Sequence, residues 1–241
     1  MNRLDRLLSL LSYGSRAQVK TIIRQGRVQV NGQTALDAGL PVSPLDLVKV
    51  DGLALDTRLE RHVMMNKPLG VLTAARDARQ KTVLDLLPDV MRSLGCMPIG
   101  RLDKDTQGLL LFTTDGQATH RLLSPRTKVA KVYRAKVEGE LTQREVRRFA
   151  QGIALSDFTA LPAELRILSA RAEESLALVT VCEGKFHQVR RMFGACGHEV
   201  LQLERLSFGA LMLDASLAPG QWRELTADEW QKLTQGASAD G

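Results

Sequence analysis

Hydrophobic spacing divides the chain into two stretches of different character. Leu4, Leu7, Leu8 and Leu11 recur at helical spacing, and Gly14 can end that helix. Ser15 is a suitable N-cap for a second helix, which places Val19, Ile22 and Ile23 on one face. Gly26 closes it, and Arg27-Val28-Gln29-Val30 then alternates as a strand does. Asn31-Gly32 is a hairpin signal, and Leu47-Val48-Lys49-Val50 predicts another strand before a turn at Asp51-Gly52. The polar run Asp56 to Arg61 is expected to be a linker, dividing residues 1–58 from a second domain over 59–236.

In the second stretch, Val63-Met64-Met65 begins a strand that runs into Asn66-Lys67-Pro68-Leu69-Gly70, a sharp reversal. Residues 82–87 predict a short helix stopped by Pro88. Leu109 to Phe112 is a short apolar run with turn residues on both sides, hence a buried strand. A helix follows Asp115-Gly116, a strand covers Val129 to Val137, and Thr142 caps a helix that Gly152 ends. Leu176 to Cys182 predicts an apolar strand, and Lys185 to Phe193 a helix ending at Gly197. Val200 to Leu203, Arg205 to Phe208 and Trp222 to Leu225 are three more strands. Thr226-Ala227-Asp228-Glu229 is a capping box for the last helix, with Trp230 and Leu233 facing inward. The small, polar tail 237–241 is expected to be disordered. Strands and helices interleave without regular alternation, which predicts an α+β class with a mixed, largely antiparallel sheet.

Charge changes this picture. The net charge is +6, but it is unevenly spread. Arg3, Arg6, Arg16, Lys20, Arg24 and Arg27 face only Asp5 within the first 30 residues. Arg16, Lys20 and Arg24 recur every four residues and stripe one helix face. Residues 120–136 hold six further Lys and Arg and no acid. One-signed clusters of this kind suit a polyanion, and phosphate contact is the simplest account of the stripe. No run of 18 apolar residues predicts a membrane span. Cys96, Cys182 and Cys196 lack paired spacing, which fits free thiols in a reducing cytoplasm, where the protein is expected to act. Four scattered histidines provide no metal-ligand cluster, and no phosphate loop or dinucleotide motif occurs.

The most informative stretch is Gly100-Arg101-Leu102-Asp103-Lys104-Asp105-Thr106-Gln107-Gly108-Leu109. It puts Arg101, Asp103 and Asp105 on a turn at the mouth of the predicted core strand. An acidic turn between strands is otherwise an ordinary solvated loop. Gly100-Arg101-Leu102-Asp103 followed by Thr106-Gln107-Gly108-Leu109 resembles, without a gap, the signature of RNA pseudouridine synthases. Arg3-Leu4-Asp5, Ser15-Arg16 and Gly26 to Gly32 resemble the αL RNA-binding domain of a small-subunit ribosomal protein. The likeness runs from Arg3 to about Trp230.

This resemblance implies an enzyme that breaks the glycosidic bond of a uridine in RNA, turns the uracil, and rejoins the sugar to ring carbon 5. The reaction gains no atoms and calls for no cofactor. The resemblance implies Asp103 as the catalytic carboxylate, Arg190 as the cation that keeps it ionised, and Tyr133 as the ring that stacks on the uracil. Val189 would form the opposite wall, Arg101 would fill the space of the flipped base or hold a phosphate, and Arg191 would reach RNA. Arg3, Arg16, Lys20, Arg24 and Arg27 would grip RNA through phosphates. The carboxylate could add to the anomeric carbon, add to ring carbon 6, or remove a ribose proton; the residues leave all three open. Phe186 to Phe193 resembles the RsuA-type branch, which acts on small-subunit (16S) ribosomal RNA, although that branch often carries Lys at the place of Arg190. The expected partner is therefore 16S rRNA or a small-subunit assembly intermediate, bound by a monomer. Two other readings stand beside it: a synthase for large-subunit (23S) rRNA, and a non-catalytic RNA-binding ribosome-assembly protein. A glycosidase using Asp103 and Asp105 is disfavoured, because two carboxylates on one turn are not opposed across a sugar.

Overall fold

A computed structural model describes residues 1–236; the tail 237–241 lies outside the described residues. The chain forms two compact units, Met1–Arg61 with Leu87–Cys96, and His62–Leu86 with Met97 onward. The segment after Pro88 thus returns to the first unit.

The first unit contains β1 (Asn2–Arg3), α1 (Leu4–Leu10), α2 (Arg16–Arg24), β2 (Val28–Val30), β3 (Gln33–Thr34), β4 (Pro41–Val42), β5 (Val48–Val50), β6 (Leu53–Ala54) and α3 (Asp89–Ser93). Local signals explain most of it. Ser15 and Gln18 form a complete capping box at the start of α2. Asn31 and Gly32 take φ of 52° and 82°, the left-handed pair that a tight hairpin demands. The sheet order is β3-β2-β5-β6, with β1 paired to β4 apart from it. Leu4, Leu7, Leu8, Val19, Ile23, Val28 and Val48 form its core. Arg16, Lys20 and Arg24 remain exposed on α2. Arg3 pairs with Asp5, and Arg27 with Asp51 at 2.5 Å.

The second unit is built on a mixed sheet. Its strands are β7 (His62–Lys67), β8 (Met97–Pro98), β9 (Gln107–Thr113), β10 (Lys131–Glu138), β13 (Glu164–Ala170), β14 (Glu174–Val181), β15 (Val200–Phe208), β16 (Leu211–Met212) and β17 (Trp222–Glu224). The main path is β13-β14-β10-β15-β9-β7-β17, with β16 on β15 and β8 on β9; β11 (Ile153–Ala154) and β12 (Thr159–Ala160) pair separately. Four helices accompany it: α4 (Gly116–Leu123), α5 (Gln143–Gln151), α6 (Gln188–Ala195) and α7 (Ala227–Gly236). Among the described residues, every pairing between these strands is antiparallel except β9 with β15, where Gly108 lies opposite Arg205. Gly108 has φ of +103°, and a Cβ there would meet the Arg205 carbonyl oxygen inside van der Waals contact and lie 2.8 Å from its nitrogen. The two antiparallel blocks therefore join where only glycine fits.

Several short two-residue strands were not foreseen, and the longer elements differ from the sequence pattern as follows. Val200 to Phe208 is one strand, not two. Glu164–Ala170 forms an unforeseen edge strand, since its mixed polar pattern carries little periodic signal. Residues 83–86 form a 3-10 turn, and α3 starts directly after Pro88. The helix expected from Lys185 begins only at Gln188.

Candidate active site

The turn between β8 and β9 is fixed from three directions. Thr106 N donates to the Asp103 carbonyl at 3.1 Å, closing the turn on itself. Lys67, at the end of β7, is fully buried; its Nζ donates to the carbonyls of Asp103 at 3.0 Å, Thr106 at 2.9 Å and Pro68 at 3.1 Å. Burial pushes its ammonium down to about 8, against the attraction of Asp103 and Asp105. From the segment after β7, Thr73 Oγ1 donates to the Leu102 carbonyl at 2.6 Å, and Gly70 N donates to that of Lys104 at 2.8 Å. The Asn-Lys-Pro-x-Gly reversal thus becomes the cradle of the turn.

Arg190 holds the third side and corrects one expectation. Its guanidinium does not meet the Asp103 carboxylate. Nη2 lies 3.0 Å from Asp105 Oδ2 and donates to the Asp105 carbonyl at 2.9 Å, while Nη1 donates to the Val200 carbonyl at 2.8 Å. The fork ties the turn to β15, two residues beyond Asp103. The group facing Asp103 is His187, whose Nε2 is 3.5 Å from Oδ1. His187 takes φ of 49° and stands just ahead of α6. Gln188 explains the late helix start: its side chain accepts from Lys185 N at 3.1 Å and donates to Glu183 at 2.7 Å, which holds 185–187 as a loop.

Asp103, Arg101, Tyr133 and Val189 line a single cavity of about 1020 Å³. Tyr133 comes from the inward face of β10 and Val189 from the first turn of α6; both are buried. The Asp103 side chain keeps 32% exposure, so the carboxylate is reachable from the opening. Lys131, Arg205, Phe186 and His187 line the same space. Arg191 is placed elsewhere, on Asp157 and Ser156 and over the Phe158 ring. Arg205 carries no motif signal, and His187 lies within the Phe186–Phe193 likeness without a role drawn from it; the packing brings both to the cavity.

This geometry makes the role of Arg190 testable. Arg190→Lys keeps a positive charge but loses the two-pronged hold on Asp105 and Val200. If the turn carries the catalytic carboxylate that the resemblance implies, we expect turnover to fall about 10-fold or more with RNA affinity nearly unchanged, as follows from displacing that group by a fraction of an ångström. Single-turnover kinetics beside filter binding reads both quantities.

Comparison with known proteins shows the family. Residues 61–195 match the RNA pseudouridylate synthase family, and residues 2–48 match the S4 domain. The uncharacterized RNA pseudouridine synthase YtzG of Bacillus subtilis is 42% identical over 236 residues, covering 97% of this chain and 98% of that protein. The ribosomal large subunit pseudouridine synthase B of the same organism is 36% identical, covering 97% and 96%. The ribosomal small subunit pseudouridine synthase A of Pseudomonas aeruginosa is 39% identical, covering 94% and 98%. A crystal structure of a pseudouridylate synthase superposes with a TM-score of 0.67 at 31% identity, covering 97% of this chain and all of that one. The chain belongs to the RNA pseudouridylate synthase family and is an RsuA-type RNA pseudouridine synthase with an S4 domain at its N-terminal side.

Proposed function

We propose that this enzyme isomerises a uridine of 16S ribosomal RNA, with the Asp103 carboxylate acting at the nucleoside. One observation carries the reading: Asp103 stands on a clamped turn and shares a cavity with Tyr133, Val189 and Arg101. A flipped uridine enters that cavity at a cost of a few kcal/mol in lost stacking. Tyr133 stacks on the uracil, Val189 forms the other wall, and Arg101, exposed at the rim, fills the vacated helix or holds a phosphate. His187 stands beside that carboxylate, with Nε2 3.5 Å from Asp103 Oδ1. Arg190 acts through the turn and not on the reacting atoms, and Arg191 meets RNA outside the cavity. Residues 1–58 serve as the RNA grip and 59–236 as the catalytic domain.

Two facts favour the small subunit. The Phe186–Phe193 segment resembles the branch that acts there, and the P. aeruginosa relative is a small-subunit synthase. The B. subtilis large-subunit relative supports 23S rRNA as a second reading. Mapping pseudouridine in both rRNAs from cells lacking the protein tests them. We expect one 16S position to revert to uridine. A 23S position reverting instead selects the second reading. No reversion, together with no product from the purified protein, overturns both.

The stripe on α2 has its own test. Replacing Arg16, Lys20 and Arg24 with Ala removes three exposed cations. The slope of log affinity against log salt should lessen by about 2, since each phosphate contact contributes about 0.7–0.9. Turnover at saturating RNA should stay unchanged. Fluorescence anisotropy across a salt series measures it.

A further inference from the structure

Among the residues lining the same cavity, Lys131 and Arg205 are two buried cations that make no salt bridge among the described residues. Lys131 is 8% exposed and Arg205 2%. Arg205 lies directly opposite Tyr133 across the β10–β15 pairing, and Lys131 lies two residues before Tyr133 on the same face. Residues directly opposite in such a pair project to one side of the sheet, so all three side chains share a face. Both cations also flank one ring, with Lys131 Nζ 5.2 Å and the Arg205 guanidinium 5.4 Å from the Phe208 centroid. Lys131 donates only to the Val129 carbonyl, and Arg205 donates through Nε to the Leu109 carbonyl at 2.7 Å. Arg205 Nη2 is buried without a hydrogen-bond partner. Glu183, the acid that acts on Lys131 from a distance, is engaged by Leu161 N and Gln188.

Such an arrangement is costly for a resting protein. A buried charge normally has an opposite charge beside it, and two like charges in one low-dielectric space repel. Burial, with Arg205 next in effect, accordingly pushes the Lys131 ammonium down to about 8. A site that keeps two unneutralised cations next to its stacking ring is preorganised for negative charge that arises during turnover.

We infer that Lys131 and Arg205 receive the carbonyl oxygens of the detached uracil. This rests on the pseudouridine synthase reading of the cavity. When the C1′–N1 bond breaks, its electron pair leaves with the ring, and the charge is shared among N1 and the two carbonyl oxygens. The pair returns when C5 bonds to C1′; C5 then gives up its proton and N1 takes one. The two cations bind this anion more strongly than the neutral base, so they lower the barrier to bond breaking. They also hold the ring in the cavity while it turns.

The test compares leaving groups. Fluorine at C5 withdraws electrons and lets the ring carry negative charge with less help. The full-length protein and its Lys131→Met and Lys131→Gln variants would be given the mapped RNA, with either uridine or 5-fluorouridine at the target. Single-turnover loss of the target nucleoside is measured at saturating RNA. We expect both variants to lose about 100-fold on uridine RNA, and at least 5-fold less than that on 5-fluorouridine RNA. Lys131→Arg should restore most of the rate. Melting temperatures should not fall, because removing one of two repelling cations relieves the folded state. Equal losses on the two RNAs, or a loss confined to half-saturating RNA concentration, would overturn the inference and assign the cations to packing or to a phosphate. A wild-type protein that makes no pseudouridine on any rRNA would instead remove the reading beneath it.

Discussion

Asp103→Asn is expected to abolish pseudouridine formation, by about 10⁴-fold or more, while the variant still folds and binds RNA. The amide has almost the shape of the carboxylate, so the clamps on the turn persist. Those clamps hold main-chain carbonyls of Leu102, Asp103, Lys104 and Thr106, not the side chain. What disappears is the negative charge, which every available mechanism for this carboxylate requires. His187 loses its charged partner at 3.5 Å, a half-exposed contact of small weight in stability. An unchanged melting temperature and unchanged RNA affinity, with no product in a nucleoside digest, would fit an acting carboxylate. Normal product from the variant would remove Asp103 from the reaction. Loss of both binding and product would point to a damaged turn, and Asp103→Glu would then be the informative variant.

The largest effect on stability is expected at Gly108. An alanine there faces two penalties at once. Its φ of +103° is a conformation that side chains rarely adopt, and its Cβ would press on the main chain of Arg205. Neither neighbour can yield without separating β9 from β15, the one parallel junction in the sheet. We expect Gly108→Ala to cost about 3–5 kcal/mol, which for a domain of this size lowers the melting temperature by roughly 10 °C. Gly116→Ala is the control, since nothing lies within 4 Å of a Cβ at that position and its φ is not left-handed. A thermal melt of the two variants decides the point; similar curves would show that the junction adapts. Because the turn bearing Asp103 runs straight into β9, Gly108→Ala should also slow turnover below its melting temperature.

Much of the local structure was legible in the chain because its causes act within a few residues. Ser15 with Gln18, Thr142 with Glu145, and Thr226 with Glu229 each mark a helix start through reciprocal hydrogen bonds three residues apart. Asn31-Gly32 marks a hairpin because the pair accepts positive φ. The run before Thr113 reads as a core strand, and β9 is indeed buried from Gly108 to Thr113. The likeness around Gly100 to Leu109 drew attention to the turn through a motif that periodicity alone would have left as a solvated loop.

Tertiary structure decided the rest, for one physical reason: the decisive contacts join residues far apart in the chain. Arg190 meets Asp105 across 85 positions, and the same arginine was expected on Asp103. Both acids lie on one turn, so only the approach of α6 could choose between them. His187 faces Asp103 because Gln188 delays the helix, a side-chain bond that no helical periodicity reports. Gly108 stands in the signature stretch as one glycine among others; its actual constraint is the backbone of Arg205, nearly a hundred residues on. The meeting of Lys131, Tyr133 and Arg205 follows from strand register, which a linear pattern of apolar and polar positions does not contain. Sequence by itself determined the elements, their caps and the charge of the surfaces; the pairing of distant strands determined which charges face one another.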